Sequence, residues 1–249
     1  MFWLKNRGWV MKTIKTLKLK THYRKILLVC AASAVLSACG GSGNSTHKRY
    51  QVTVYNLTSN QPLSPLAIVA HKPGLHLFQA GQTASIALEH LAEGGSNQQL
   101  LDEVRTRNDY IADQAGSGVL PPGNSETLEL KLGDVSDFSI SVVSMLVNTN
   151  DAFAAFETNK VTALATGERI SFNVPAWDAG TEPNSETAGS IPGPADGGEG
   201  FNASRAGDSD FVSIHPGIIS QSDGLATSVL DESHRFDNPV AKIMVERVE

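Results

Sequence analysis

The chain has 249 residues, 41% hydrophobic and 18% charged, with 20 Lys and Arg against 26 Asp and Glu and a formal charge of −6. Eight of the basic residues lie in residues 1–38, which hold no acid, so the remainder carries 12 basic against 26 acidic residues, a formal −14. A body this acidic, with no basic run, argues against nucleic acid as a partner, because phosphate binding needs clustered Lys and Arg. It suits divalent cations, or partners bridged through them.

Lys5, Arg7, Lys12, Lys15, Lys18, Lys20, Arg24 and Lys25 precede a short apolar run, Ile26-Leu27-Leu28-Val29-Cys30-Ala31-Ala32. A basic segment, a short apolar one and small residues before a cut define an export signal over residues 1–38. The apolar run is about half the roughly 20 residues needed to span a bilayer. Leu36-Ser37-Ala38-Cys39 is the lipobox of bacterial lipoproteins, in which the cysteine is lipidated and becomes the new N-terminus. Met11 is an alternative start. Gly40 follows the cysteine in place of an inner-membrane retention Asp, which points to an outer-membrane lipoprotein facing the periplasm or the cell surface. Residues 39–48, rich in Gly and Ser, read as a flexible tether, and residues 49–249 as one domain large enough for a sizeable core. With Cys30 in the signal and Cys39 in the anchor, that domain has no disulfide.

Residues 50–57 are rich in β-branched and aromatic types and predict a first strand, and 66–71 a second. Residues 85–93 and 97–115 favour short helices, with Ile86, Leu88 and Leu91, then Leu100, Leu101 and Val104, on one apolar face. Pro121-Pro122-Gly123-Asn124 is a break, after which 125–132 alternates like a half-buried strand. Residues 138–147 alternate less, as a central strand does. A further strand-like run, 169–176, is closed by Trp177. From 179 to 210 the chain is rich in Gly and Pro and poor in apolar residues. Such a length without regular structure is functional or disordered. We read it as an excursion over the domain, with disorder an equal reading for 186–199.

Asp151 follows the apolar run through Asn148-Thr149-Asn150, and Asp178 and Glu182 follow Trp177 with Gly180 between them. Two strands that each end in an acidic loop can gather three carboxylates at one sheet edge. That set suits calcium, which takes six to eight oxygens at flexible angles. The same residues also read as turn formers on a solvated surface. His71 and His76 are spaced like a zinc pair but lack a third ligand, and His215-Pro216 reads as fixing a turn. The chain has no Gly-x-Ser-x-Gly elbow, no His-Glu-x-x-His and no phosphate-cradling Gly-x-x-x-x-Gly-Lys.

Several segments, in this order, resemble a spondin domain, the N-terminal module of the F-spondin family. They are Gly81-Gln82-Thr83-Ala84-Ser85, Ser144-Met145-Leu146, Asn150-Asp151-Ala152-Phe153, Trp177-Asp178-Ala179-Gly180-Thr181-Glu182, His215-Pro216 and the closing run 240–248. The resemblance spans residues 66–248. It implies a mainly β fold, an antiparallel β-sandwich similar to a C2 domain, here with one or two short helices and a long Gly/Pro-rich loop. It also implies a calcium ion held by three acidic side chains, which fall on Asp151, Asp178 and Glu182. Glu182 departs from the usual Asp at its position. The implied function is non-catalytic: a membrane-anchored module for extracytoplasmic adhesion, or for binding a protein or polysaccharide ligand. The alternative is a metal-dependent hydrolase of surface glycans or esters, with the acidic cluster and long loop as its active site.

Overall fold

The computed structural model describes residues 47–205 and 207–249; the signal peptide expected over 1–38, the lipidation expected at Cys39 and most of the expected tether lie outside them. In chain order the strands are β1 (Lys48–Asn56), β2 (Ala67–His71), β3 (Tyr110–Ala115), β4 (Ser125–Leu132), β5 (Ser139–Met145) and β6 (Ala152–Thr158). They continue with β7 (Arg169–Val174), β8 (Ala176–Asp178), β9 (Ser213–Ile214) and β10 (Ala241–Arg247). Two helices, α1 (Ile86–Gly94) and α2 (Gln98–Arg105), separate β2 from β3. The strands form a four-stranded sheet, β4-β1-β10-β7, and a six-stranded sheet, β3-β2-β5-β6-β8-β9. All the strand pairings are antiparallel, and the fold is the expected mainly β sandwich.

The side-chain period explains why the two sheets differ. In β1, Tyr50, Val52 and Val54 are buried between the sheets, and in β10 so are Ala241, Ile243 and Val245. Their alternate neighbours Gln51 and Lys242 are exposed, as a sheet with one wet face requires. β5 is buried at every position because the six-stranded sheet is covered on both sides. Ile140 and Val142 point into the sandwich core, whereas Val143 and Met145 join Leu88, Leu91, Leu100, Leu101 and Val104 of the helices. β6 divides in the same way, with Ala152 and Ala154 inward and Phe153 and Ala155 under the helices. Each large apolar side chain so buried contributes about 1.5–3 kcal/mol. Ser85 caps α1 by accepting the Leu88 N–H at 3.1 Å, and Gly95 ends it in the left-handed region.

Three expectations need correction. The helical reading of 97–115 holds only to Arg105, because Tyr110–Ala115 is the edge strand β3, paired with β2. Thr106, Asn108 and Asp109 interrupt the helix, and ladder bonds to β2 then outweigh a weak local preference. The run 169–176 is not one strand. Pro175 divides it, so that β7 pairs with β10 in one sheet and β8 with β6 in the other. β6 begins directly after Asp151, where the sequence suggested only a loop.

The excursion after β8 is packed. Ile191, Ile218 and Leu230 form a third apolar cluster, bordered by Ala195, Val229 and Phe236. It closes around the turn Asn148-Thr149-Asn150, whose side chains are all buried and bonded. Asn148 Oδ1 accepts from the Ala195 N–H at 3.0 Å, and Asn150 Oδ1 accepts from Glu186 at 3.2 Å. Thr149 Oγ1 donates to the Leu146 carbonyl at 2.6 Å and accepts from Ala152 at 3.1 Å. A buried turn this polar is tolerated because its groups find partners, and several of those partners are the backbone of the excursion.

Candidate metal centre

Asp151 and Asp178 meet because β6 and β8 are neighbours. Ala152 pairs with Asp178, which sets the two acidic residues side by side at the end of the ladder. Both are buried. Asp151 Oδ2 accepts from Thr181 N at 2.9 Å, Thr181 Oγ1 at 3.3 Å and Glu182 N at 3.1 Å. Its Oδ1 is buried and has no hydrogen-bond partner among the described residues. Asp178 Oδ1 accepts from Gly180 N at 2.7 Å, and its Oδ2 from Asn184 Nδ2 at 2.6 Å.

Gly180 makes this geometry possible. Its φ is 70°, and a Cβ there would lie 2.6 Å from the Phe211 carbonyl oxygen and from Ser209 Oγ. The turn thus brings its own N–H onto Asp178 while its carbonyl accepts from Asp210 at 3.0 Å.

The third group near the pair is His215. One ligand atom each from Asp151, Asp178 and His215 lie within 4.8 Å of one another, the one such set among the described residues. His215 Nδ1 accepts from the Gly217 N–H at 3.0 Å, consistent with a turn-fixing role. Its neutral ring therefore carries the proton on Nε2, which donates to Asn184 Oδ1 at 3.0 Å. Asn184 thereby links His215 to Asp178. Burial pushes His215 down to about 4, against the pull of Asp178. Burial first, and then the Asp178 charge, push Asp151 up to about 7.

Glu182 is placed differently from the other two expected ligands. Its backbone touches Asp151, but its carboxylate turns away: Oε1 accepts from Asn150 Nδ2 at 2.9 Å, and Oε2 is paired with Arg205. Arg205 also bonds Glu199 at 3.2 Å and the Gly200 carbonyl at 3.0 Å. Among the described residues no other histidine joins this set. His71 is buried and bonded to Ser141 at 2.8 Å, and His76 to Glu157 at 3.0 Å, so the two do not share a ligand site.

The residues present fit a cation. A buried carboxylate oxygen without a donor, beside a second buried carboxylate, is the charge excess that a bound divalent ion would neutralise. Asp151 and Asp178 would hold it, with Glu182 or His215 as the nearby third donor. The sequence missed Asn184, His215 and Arg205 as members of this neighbourhood. Only His215 carried a signal, through its place in the shared segment order.

A two-sheet antiparallel sandwich with buried acidic residues at and just beyond its strand ends fits a non-catalytic extracellular module. Residues 45–191 match the family model Spondin_N, more than half of the chain, and the chain belongs to that family. The family is generally non-enzymatic. The matched region contains Asp151, Asp178 and Glu182 and stops before Arg205, His215 and β10. A comparison with the curated proteins finds no match.

Proposed function

We propose that the chain is a calcium-binding, non-catalytic β-sandwich module, carried on a lipid anchor at Cys39 and used for extracytoplasmic adhesion or ligand binding. The observation that supports calcium is the buried Oδ1 of Asp151, which lies beside Asp178 and has no hydrogen-bond partner among the described residues. Two or three carboxylates supply part of the oxygens calcium needs, and backbone carbonyls and water supply the rest. Extracellular modules of this kind bind with constants of about 10⁻⁴ to 10⁻³ M. At about 1 mM calcium, a constant near 10⁻⁴ M adds on the order of 1.4 kcal/mol. That corresponds to a rise in melting temperature of roughly 3–6 °C.

Thermal unfolding of the purified chain in chelator, calcium or magnesium measures it. Magnesium substitutes poorly, because it holds its waters and demands a tighter octahedron. Asp178→Asn loses most of the calcium response, and Glu182→Gln loses less. Identical curves in calcium and chelator, with no heat of binding at millimolar ion, would reduce the three acids to a structural cluster. His215 favours a second reading, zinc, which accepts one imidazole with two carboxylates. A zinc arm in the same melt separates the two, and calcium is preferred because both ring nitrogens of His215 already have partners.

Anchoring is tested separately. Cys39→Ser removes the thiol that carries the acyl linkage, so the variant leaves the detergent phase when the chain is partitioned after expression in a bacterial host. A variant that still partitions into detergent would end the lipoprotein reading.

A further inference from the structure

Arg205 lies outside the matched region, yet it holds one of the three acidic residues at the candidate centre. We propose that Arg205 is an internal competitor for the cation: it holds the Glu182 carboxylate off the Asp151–Asp178 pair, and a bound cation draws Glu182 back. This rests on the cation reading given above.

Three observations carry it. First, the backbone of Glu182 is already at the site, since its N–H donates to Asp151 Oδ2 at 3.1 Å. With the backbone so placed, the exchange the proposal requires is a movement of the Glu182 side chain. Second, Glu182 is buried, and its partners in the outward position are Arg205 and Asn150. A buried carboxylate keeps such a position only while its partners neutralise it. Third, Arg205 is shared. Glu199 lies 3.2 Å from it and Glu93 4.0 Å, so the guanidinium keeps two carboxylates after Glu182 departs. The exchange leaves no unpaired charge behind: a cation gains a third carboxylate, and Arg205 falls back on Glu93 and Glu199.

Arg205 also explains how the pair can remain intact without an ion. Three free carboxylates packed together would repel, whereas one of them parked on an arginine leaves only two in contact. The arginine thus stabilises the ion-free form and weakens ion binding by the same amount, as linkage requires.

Calorimetric titration of calcium into the detergent-solubilised full chain tests this with four proteins: wild type, Arg205→Gln, Glu182→Gln and the double variant. Arg205→Gln is expected to tighten calcium binding about tenfold, the scale of one charge-assisted hydrogen bond. A positive charge lost near the site would tighten binding even without Glu182, so the double variant decides. If Glu182 moves to the ion, Glu182→Gln abolishes the tenfold gain in the Arg205→Gln background but costs little in the wild type. If Glu182→Gln has the same effect in both backgrounds, the gain is long-range charge alone and the proposal is overturned. Equal affinity of wild type and Arg205→Gln overturns it while leaving the cation site standing. No binding by any of the four overturns both. Should Arg205→Gln fail to fold in chelator, Arg205→Lys keeps the charge but loses the fork. A small tightening that Glu182→Gln cancels then supports the proposal, and wild-type affinity overturns it.

Discussion

Replacing Gly180 by alanine should lower the melting temperature by on the order of 10 °C and remove the calcium response. The backbone there has φ 70°, which costs an L-residue about 1–2 kcal/mol. The new Cβ would also stand 2.6 Å from the Phe211 carbonyl oxygen and 2.8 Å from its nitrogen, backbone atoms that cannot rotate away. Forcing a methyl into so tight a contact adds about 1–3 kcal/mol. Together these give about 2–5 kcal/mol, a large share of the stability of a single domain. The functional loss follows from the same displacement, because the Gly180 N–H holds Asp178 Oδ1 at 2.7 Å. Gly189→Ala is the control: its φ is 85°, but nothing lies within 4 Å of the added Cβ. It should cost only the backbone term and leave the calcium response intact. Equal melting temperatures for the two variants would show that the excursion gives way around position 180.

The sandwich was legible wherever burial imposed a local period. β1, β4 and β10 alternate because one face is wet, and β5 reads as central because both faces are covered. Where the deciding contact is distant, the local pattern misleads. Tyr110 to Gln114 continue a helical spacing but are claimed by ladder bonds to β2, some 40 residues earlier in the chain. β6 is short on long apolar side chains, since Ala152, Ala154 and Ala155 fit between close layers, and its composition therefore gives little strand signal. At the candidate centre, the acids after Trp177 and after Asn150 could be singled out because loops at strand ends collect ligands. The partners that decide what those acids do could not. Arg205 is 23 positions from Glu182 and His215 is 31 from Asn184, and neither separation leaves a local trace. The disorder considered for 186–199 also gives way to distant contacts, since Ile191 is fully buried against Ile218 and Leu230.

Without calcium, the protein should become less stable as pH rises from about 5 to 7.5. Burial pushes Asp151, with the further push of Asp178, and Glu186 up to about 7. Glu186 is buried, and its Oε2 has no partner among the described residues, while Oε1 accepts from Ile219 N at 3.2 Å. Carboxyls whose folded value is raised contribute fully below their unfolded value near 4 and lose that contribution as pH rises through about 7. His215 works in the opposite direction. Its folded value is pushed down to about 4, so its contribution is present above 6.5 and fades as pH falls toward 4. Across pH 5 to 6.5 the raised carboxyls, Asp151 and Glu186 together with Glu93 and Glu182, which burial also pushes up, outweigh the one histidine, so stability falls as pH rises. Asp113, Asp223 and Asp231 are held below their ordinary range and act only under about pH 4. Urea midpoints in chelator at pH 5, 6 and 7.5 measure the slope. Calcium should flatten it, because the ion takes Asp151 in its ionised form, and its affinity should weaken as pH falls below 7 and the proton competes. Asp151→Asn should remove one share of the slope and the calcium effect together, whereas Glu186→Gln should remove only the slope. A chelator series in which stability instead rises from pH 5 to 7.5 would mean that Asp151 and Glu186 are already ionised in the folded protein near pH 5, their folded values not raised.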